Sequence, residues 1–303
     1  MIDYTEDHFR ELCRAGPVAL EISTLEEKRA AAVRKFWLRL GVAILLALAI
    51  PLSLMRGDLL GVAIVIAIFV FVAGLIFAIV PLGKVGAALK QPVLETLAQK
   101  GGLTFLGDGF DPPVYPEARK ALFGNWLSSQ TFSDLFHGVD EQGRRFAFYE
   151  GNLVRGSGKH RHTVFSGQMY AWQRRAHSGR EIVIVPDRGL FNFFKPLSGM
   201  ERVRFEGESE FESRFEVYAY EPHAAILVIG PDARRALLEL RQAGRVFGYI
   251  GPEDAFIAAT AKNRFEAGSM FRSTSGEQRA RAMFDDVRAS LAVLKRLRAA
   301  LGG

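Results

Sequence analysis

The hydrophobic positions follow three rhythms along the chain. Between Phe36 and Gly83 they run almost without interruption. Leu40 to Met55 carries no charge, and extending back to Phe36 adds only Arg39. A helix over 36–55 is about 30 Å long at 1.5 Å per residue, the thickness of a bilayer core. Pro51 lies near its far end, where a kink costs little. Arg56, Gly57 and Asp58 interrupt the run, and Leu59 to Gly83 follows without a charge. That second stretch is long enough to cross with tilt. Gly61 and Gly74 are small residues suited to close helix approach. Buried core helices seldom hold more than about 14 uninterrupted apolar residues. A cleaved signal peptide has a shorter apolar core and a small-residue cleavage site. The pattern therefore predicts a transmembrane helical hairpin over 36–83, with spans at about 36–55 and 59–83.

On either side of the hairpin the rhythm is helical. Residues 1–35 read as two pieces broken at Gly16-Pro17. The first, Thr5 to Arg14, places Phe9, Leu12 and Cys13 together. The second, Val18 to Lys35, carries Glu21, Glu26 and Glu27 and has a solvated face. Residues 84–100 form a juxtamembrane helix with Leu89, Val93 and Leu97 at helical spacing and Pro92 suited to a first turn. Gly101-Gly102 ends it.

From about 101 to 272 the period shifts to two. Phe146 to Tyr149, Ile182 to Val185, Phe215 to Tyr220 and Ala225 to Ile229 read as short strands bounded by turn residues. Glu221-Pro222-His223 fits a hairpin turn between the last two. Pro231 opens a helix to about Ala243. Arg245 to Ile250 and Ala255 to Ala259 read as two more strands, joined at Gly251-Pro252. The fold class is α+β, with an antiparallel-sheet-rich domain large enough for its own core. Residues 273–303 read as a long amphipathic C-terminal helix. Ser275 and Gln278 have capping-box spacing, and Phe284, Val287, Leu291, Leu294, Leu297 and Leu301 form its apolar stripe. Packing on its own domain is the plain reading of that stripe. Self-association as a homo-oligomer and contact with a lipid surface are the sharper ones.

Charge adds orientation. The 303 residues carry 39 Lys and Arg against 33 Asp and Glu, a net charge of +6, and 49% are hydrophobic. Disorder and a polytopic transporter are both excluded. Arg34, Lys35 and Arg39 precede the first span, and Lys84 and Lys90 follow the second. Lys and Arg are retained on the cytoplasmic side. The expectation is a membrane protein with two spans and both termini in the cytoplasm. These basic flanks set topology and touch anionic lipid; the partner they imply is the lipid bilayer, not nucleic acid.

The search for chemistry yields little. The single cysteine, Cys13, excludes an intrachain disulfide framework and a cysteine-cluster zinc site. Arg155 to His160 approaches a phosphate loop, but Leu153 stands where the first glycine belongs and His160 replaces the hydroxyl. Lys159, His160, Arg161 and His162 form a dense basic stretch, with His177 beyond. His160 and His162 would share one face of a strand, yet the adjacent cations oppose a metal. An exposed basic contact loop is the better reading. No His-Glu-x-x-His or Gly-x-Ser-x-Gly is present, and no cofactor, metal or catalytic residue is assigned.

Several segments resemble the DUF3137 family of bacterial membrane proteins. They are Val164 to Gly167, Phe205 to Gly207, Glu210 to Ala219, Ala224 to Ile229, Phe256 to Ala259, Arg264 to Glu266, and Met270-Phe271. The hairpin behind a charged helix is similar too, so the likeness spans nearly the whole chain. The family has no known function and implies no catalytic residue. Its resemblance points to a LemA-like membrane protein as a neighbour.

Two classes of function follow. The first is a non-enzymatic, membrane-anchored interaction or envelope-associated module. The second is a membrane-tethered enzyme with a site assembled from His137, His160, His162 and His223 and nearby carboxylates. A pocket of converging polar groups favours the second; a broad exposed patch favours the first.

Overall fold

The computed structural model describes residues 4–53, 60–175, 181–187 and 199–302. The turn at Arg56 to Asp58 and His177 lie outside them. The chain divides into a helical unit, Thr5–Leu97 with Phe265–Phe284, and a sheet unit built mainly from Ala98–Arg264 and Asp285–Gly303.

The helical unit begins with α1, Glu6–Arg14. Thr5 precedes it, with its amide donating to His8 Nδ1 at 3.0 Å. Phe9 and Leu12 are buried and Cys13 is half-buried. Helix α2, Gly16–Ser53, runs unbroken from the charged stretch into the apolar one and includes Pro51. Helix α3, Leu60–Lys100, includes Pro81 and Pro92. Pro92 is therefore interior, not in a first turn. It forfeits one backbone donor, but Leu89, Val93, Leu94 and Leu97 around it are fully buried and carry the helix across.

Along the apolar stretches the buried residues are chiefly small and the large ones face outward. Ala43, Ala63, Ala67 and Ala78 are buried, while Leu45, Val65, Phe69 and Ile76 are exposed, Phe69 by 74%. A Cβ on Gly74 would collide with the Cβ of Ala43, whereas one on Gly61 meets nothing. Close approach therefore uses Gly74 and not Gly61.

Residues 265–275 lie on these helices and account for part of the family-like text. Phe271 meets Phe36 edge-on at 5.0 Å, Lys90 pairs with Glu266 at 3.0 Å, and Arg29 donates to the Met270 carbonyl at 3.2 Å. Buried Arg279 gathers the segment by donating to the carbonyls of Ala267, Ser269, Arg272 and Thr274.

The sheet unit holds nine antiparallel strands among the described residues: β1 (Thr104–Leu106), β2 (Leu127–Val139), β3 (Arg145–Arg155), β4 (His162–Gln173), β5 (Ile182–Pro186), β6 (Glu201–Val203), β7 (Phe215–Ala219), β8 (Val246–Ile250) and β9 (Asp254–Thr260). Their order is β1-β2-β3-β4-β9-β8-β5-β7-β6. The α+β class stands. One face carries Ala147, Tyr149, Met169, Ala171, Phe247 and Phe256 against helix α4, Tyr115–Leu122. Alternation sends Phe148, Gln168 and Tyr170 to the other face. Between β6 and β7 sits the short helix α5, Ser209–Glu212. Gly167 has φ +158 and a Cβ there would strike the Ala259 carbonyl, so β4 and β9 can pair closely only with glycine at that position.

Ala225 to Ile229 is not a strand. Helix α6 spans Pro222–Val228 with proline in its first turn, so the expected hairpin turn is a helix start. A short apolar run cannot by itself distinguish strand from helix. Helix α7 spans Pro231–Ala243 and α8 spans Gly276–Ala300. The Ser275 hydroxyl accepts from the Gln278 amide at 3.2 Å, and Gln278 Oε1 accepts from the Ser275 amide at 3.3 Å, completing the capping box. The α8 stripe from Phe284 to Leu301 is buried. In the sheet unit, Ser290 Oγ donates to Gln168 Oε1 at 2.9 Å, so this part of the helix packs on its own sheet.

Candidate functional site

The sheet unit contains a cleft of about 890 Å³, within the range typical of small-molecule sites. Its floor is the row Thr104, His137, Ala147 and Ala171, contributed by four adjacent strands. The alanines leave room that larger side chains would fill. Leu106, Leu135 and Val139 add apolar wall. The opposite wall comes from Phe110, Asp111, Pro113 and Val114 and from Glu117 in the first turn of α4. That segment is tied down by Tyr149, whose buried hydroxyl donates to the Pro113 carbonyl at 2.9 Å. Burial pushes the Tyr149 phenol well above its ordinary range. One end of the cleft is the polar row Arg145, Gln173 and Asp254.

A bulge in β2 aims His137 into this space. Ser133 pairs with Glu150 and Phe136 with Phe148, so Asp134 and Leu135 together oppose Tyr149. The extra residue reverses the alternation. Without it, His137 would share the face of Ser133. Asp134 takes φ 56, and Val114 takes φ 61. They are the only non-glycine residues with positive φ among the described residues. Val114 lines the cleft and Asp134 sits beside its lining residue Leu135. For a β-branched residue such as Val114 the left-handed conformation costs about 1–2 kcal/mol. Backbone strain of this kind collects at functional sites.

The Asp254 carboxyl is raised above its ordinary value. Burial is the main cause; Glu117 and Glu253 add to it, and Arg145 opposes it. Burial likewise raises the Tyr249 phenol, which donates to Glu181 at 2.7 Å. A second, smaller space of about 310 Å³ is lined by Thr131, Ser133, Glu150, Asn152, Ser166 and Asn263. There Glu150 Oε1 accepts from Gln168 Nε2 at 3.1 Å and from the Arg264 amide at 2.7 Å.

The four histidines considered together in sequence do not converge. His137 pairs with Ala147 of β3, and His162 pairs with Arg155 of the same strand. Those partners are about 27 Å apart along the strand at about 3.4 Å per residue. His160 closes a single 3₁₀ turn, Gly158–His160, and His162 begins β4, so the two do not share a strand face. His223 is in α6, beside β6 and β7 at the opposite edge of the sheet from β1. Lys159, His160, Arg161 and His162 are all exposed. Among the described residues no group of three or more His, Cys, Asp or Glu is placed to hold a metal.

The basic flanks divide in two. Arg34, Lys35 and Lys84 are exposed. Arg39 lies over the Phe77 ring at 4.1 Å and donates to its carbonyl at 3.0 Å, while Lys90 holds Glu266. Of the cleft residues, the sequence singles out only His137 as a candidate functional group. The remainder come from strands as far apart in sequence as those of Thr104 and Asp254 and from the 110–117 segment, and carry no local motif.

Residues 163–299 match DUF3137, described as a protein of unknown function. The match runs from β4 into α8 and bears out the resemblance there; it does not reach the two long helices. No curated protein matches the chain. Among solved structures, the crystal structure of the mycobacterial trehalose monomycolate transport factor A, TtfA, is similar at 11% identity and a TM-score of 0.34, covering 68% of this chain and 96% of that one. A likeness that distant says nothing about ligand or partner.

Proposed function

We propose that this chain is a membrane-anchored interaction module of the bacterial cytoplasmic membrane, with two spans, both termini in the cytoplasm and a sheet unit that works by binding. The observation that carries the reading is the inverted packing of α2 and α3, with small residues buried and Leu45, Val65 and Phe69 outward. In water that arrangement exposes apolar surface at about 25 cal/mol per Å². In lipid the outward side chains are solvated by acyl chains, and small residues let the backbones approach. Both helices are long and apolar enough to cross a membrane. Arg34, Lys35 and Lys84 on the flanks support the orientation. The cleft speaks for the tethered-enzyme reading, but of the four histidines that reading drew on only His137 lines it.

Alkaline carbonate extraction of cell membranes tests the anchor, and the chain is expected to remain in the pellet. Reporters inserted after Gly57 and fused after Gly303 are expected on opposite sides of the membrane. Release into the supernatant overturns the anchor; reporters on the same side overturn the topology.

A further inference from the structure

The cleft on the α4 face combines an apolar body with an acidic lining, on a chain whose net charge is +6. Its charged lining residues are Asp111, Glu117 and Asp254 against one cation, Arg145. Burial is the main cause of the raised Asp254 carboxyl; Arg145 opposes the shift and Glu117 adds to it, so both lie within electrostatic reach of Asp254. Among the described residues no three acids are grouped to hold a metal ion, which needs several oxygens at about 2.0–2.6 Å from one point. A volume of about 890 Å³ also asks for an organic body. Leu106, Phe110, Leu135 and Val139 offer apolar surface beside the carboxylates. An anionic ligand would meet the three carboxylates, with Arg145 the one permanent cation and His137 the one imidazole in the lining to hold it.

We propose that this cleft binds a small organic cation, an ammonium group held toward Glu117 and Asp254 with its apolar body along Leu106, Phe110 and Leu135. The inference goes beyond membrane anchoring and does not depend on it, so either can fail alone. The ammonium has two possible sources with the same chemistry: a soluble amine or the headgroup of an aminophospholipid.

The test is equilibrium dialysis of the full chain in phosphatidylglycerol nanodiscs, with empty discs subtracted, at pH 7.5. Three probes share one body: 2-phenylethylammonium, 2-phenylethanol and 3-phenylpropionate. The ammonium is expected to bind at least about tenfold more tightly than the carboxylate, about 1.4 kcal/mol. Glu117→Gln combined with Asp254→Asn is expected to abolish that preference and leave phenylethanol binding unchanged, which also shows that the cleft still folds. Val139→Arg, a change at a 61% exposed position, keeps the acids and is expected to weaken the ammonium alone by several-fold. Equal or tighter binding of phenylpropionate overturns the proposal, as does a preference that survives the double variant. Adding phosphatidylethanolamine to the discs names the source. Displacement of the probe supports ammonium recognition with the lipid headgroup as ligand; unchanged binding supports it with a soluble amine.

Discussion

Asp140 closes the β2–β3 hairpin and ties it to α8. Its Oδ1 accepts from the Gln142 and Arg144 amides, both at 2.9 Å. Its Oδ2 pairs with Arg144 at 2.6 Å and Arg298 at 2.5 Å. The Arg298 guanidinium also lies over Phe146. Burial on its own would raise this carboxyl. The Arg144 amide and the two guanidiniums outweigh that effect and hold it well below the usual aspartate range. A depressed acid contributes its full stabilisation above the unfolded pKa, near 4, and loses it as pH falls from there toward the folded value. Asp140→Asn leaves two buried guanidiniums short of their counter-charge and is expected to cost about 3 kcal/mol at pH 7. The gap between wild type and variant should narrow below pH 4. Thermal midpoints of the full chain at pH 7 and pH 3 check this, and a gap independent of pH would remove Asp140 from the acid response. The hairpin also presents Val139 and Arg145 to the cleft, so the site depends on a residue that does not line it. Neither Asp140 nor the Asp134 bulge was legible in the sequence. Hydrophobic alternation records which face a strand buries, and β2 is too rich in Ser, Gln and Thr between Ser128 and Ser133 to show one. The bulge then reverses the alternation just where His137 enters.

Among the elements, α2 and α3 were the most legible, because a long uncharged run has few alternatives at that length. Their contact was half legible. Gly61 and Gly74 look alike in sequence, and only the approach of Ala43 to Gly74 separates them. Gly74→Leu is expected to force the helices apart at an overpacking cost of about 1–3 kcal/mol, while Gly61→Leu, which meets open space, should be silent. Heating the detergent-solubilised variants and following their aggregation compares the two directly. Equal midpoints would mean that the pair is not held at Gly74. The sheet shows the opposite case. Strands β5, β7, β8 and β9 were readable because each is a compact apolar run between turn residues. Strand β4 is hidden in the sequence because its first residues, His162 and Thr163, are exposed and continue a basic turn. Ala225 to Ile229 reads as a strand because it is apolar throughout and helix α6 is only about two turns long, so Pro222 is the one usable helix signal. The cleft is assembled from β1 to β4, β9 and the 110–117 segment, and no local pattern encodes such a meeting.

At the scale of the whole molecule the chain is not a string of consecutive parts. It leaves the helical unit at Leu97, builds the sheet unit, and returns over Phe265–Phe284 before finishing on the sheet. The returning segment is held by the first hundred residues. Phe284 meets Phe9 edge-on at 5.3 Å, and Arg281 pairs with Glu6 at 2.5 Å. Ser273 Oγ donates to Glu26 Oε1 at 3.0 Å. Glu26 is accordingly lowered to about 2, chiefly by its hydrogen bond from Arg29. A Cβ on Gly276 would crowd the Ile22 backbone at 2.7–2.8 Å, so α8 starts where a side chain has little room. A fragment spanning 98–303 therefore keeps every strand but strips the partners from Phe284, Phe271 and Met270. Returning buried Phe284 or Met270 fully to water costs about 1.5–3 kcal/mol each, and Phe271, already 52% exposed, costs less. The fragment is expected to bind a hydrophobic dye and to self-associate, read by light scattering after size-exclusion chromatography. Phe271→Ser with Phe284→Ser in the fragment should reduce both effects, because the newly bare surface is where those rings sit. If the unmodified fragment is instead a dye-silent monomer, residues 265–284 hold their structure without the helices, and the sheet unit is independent of the first hundred residues.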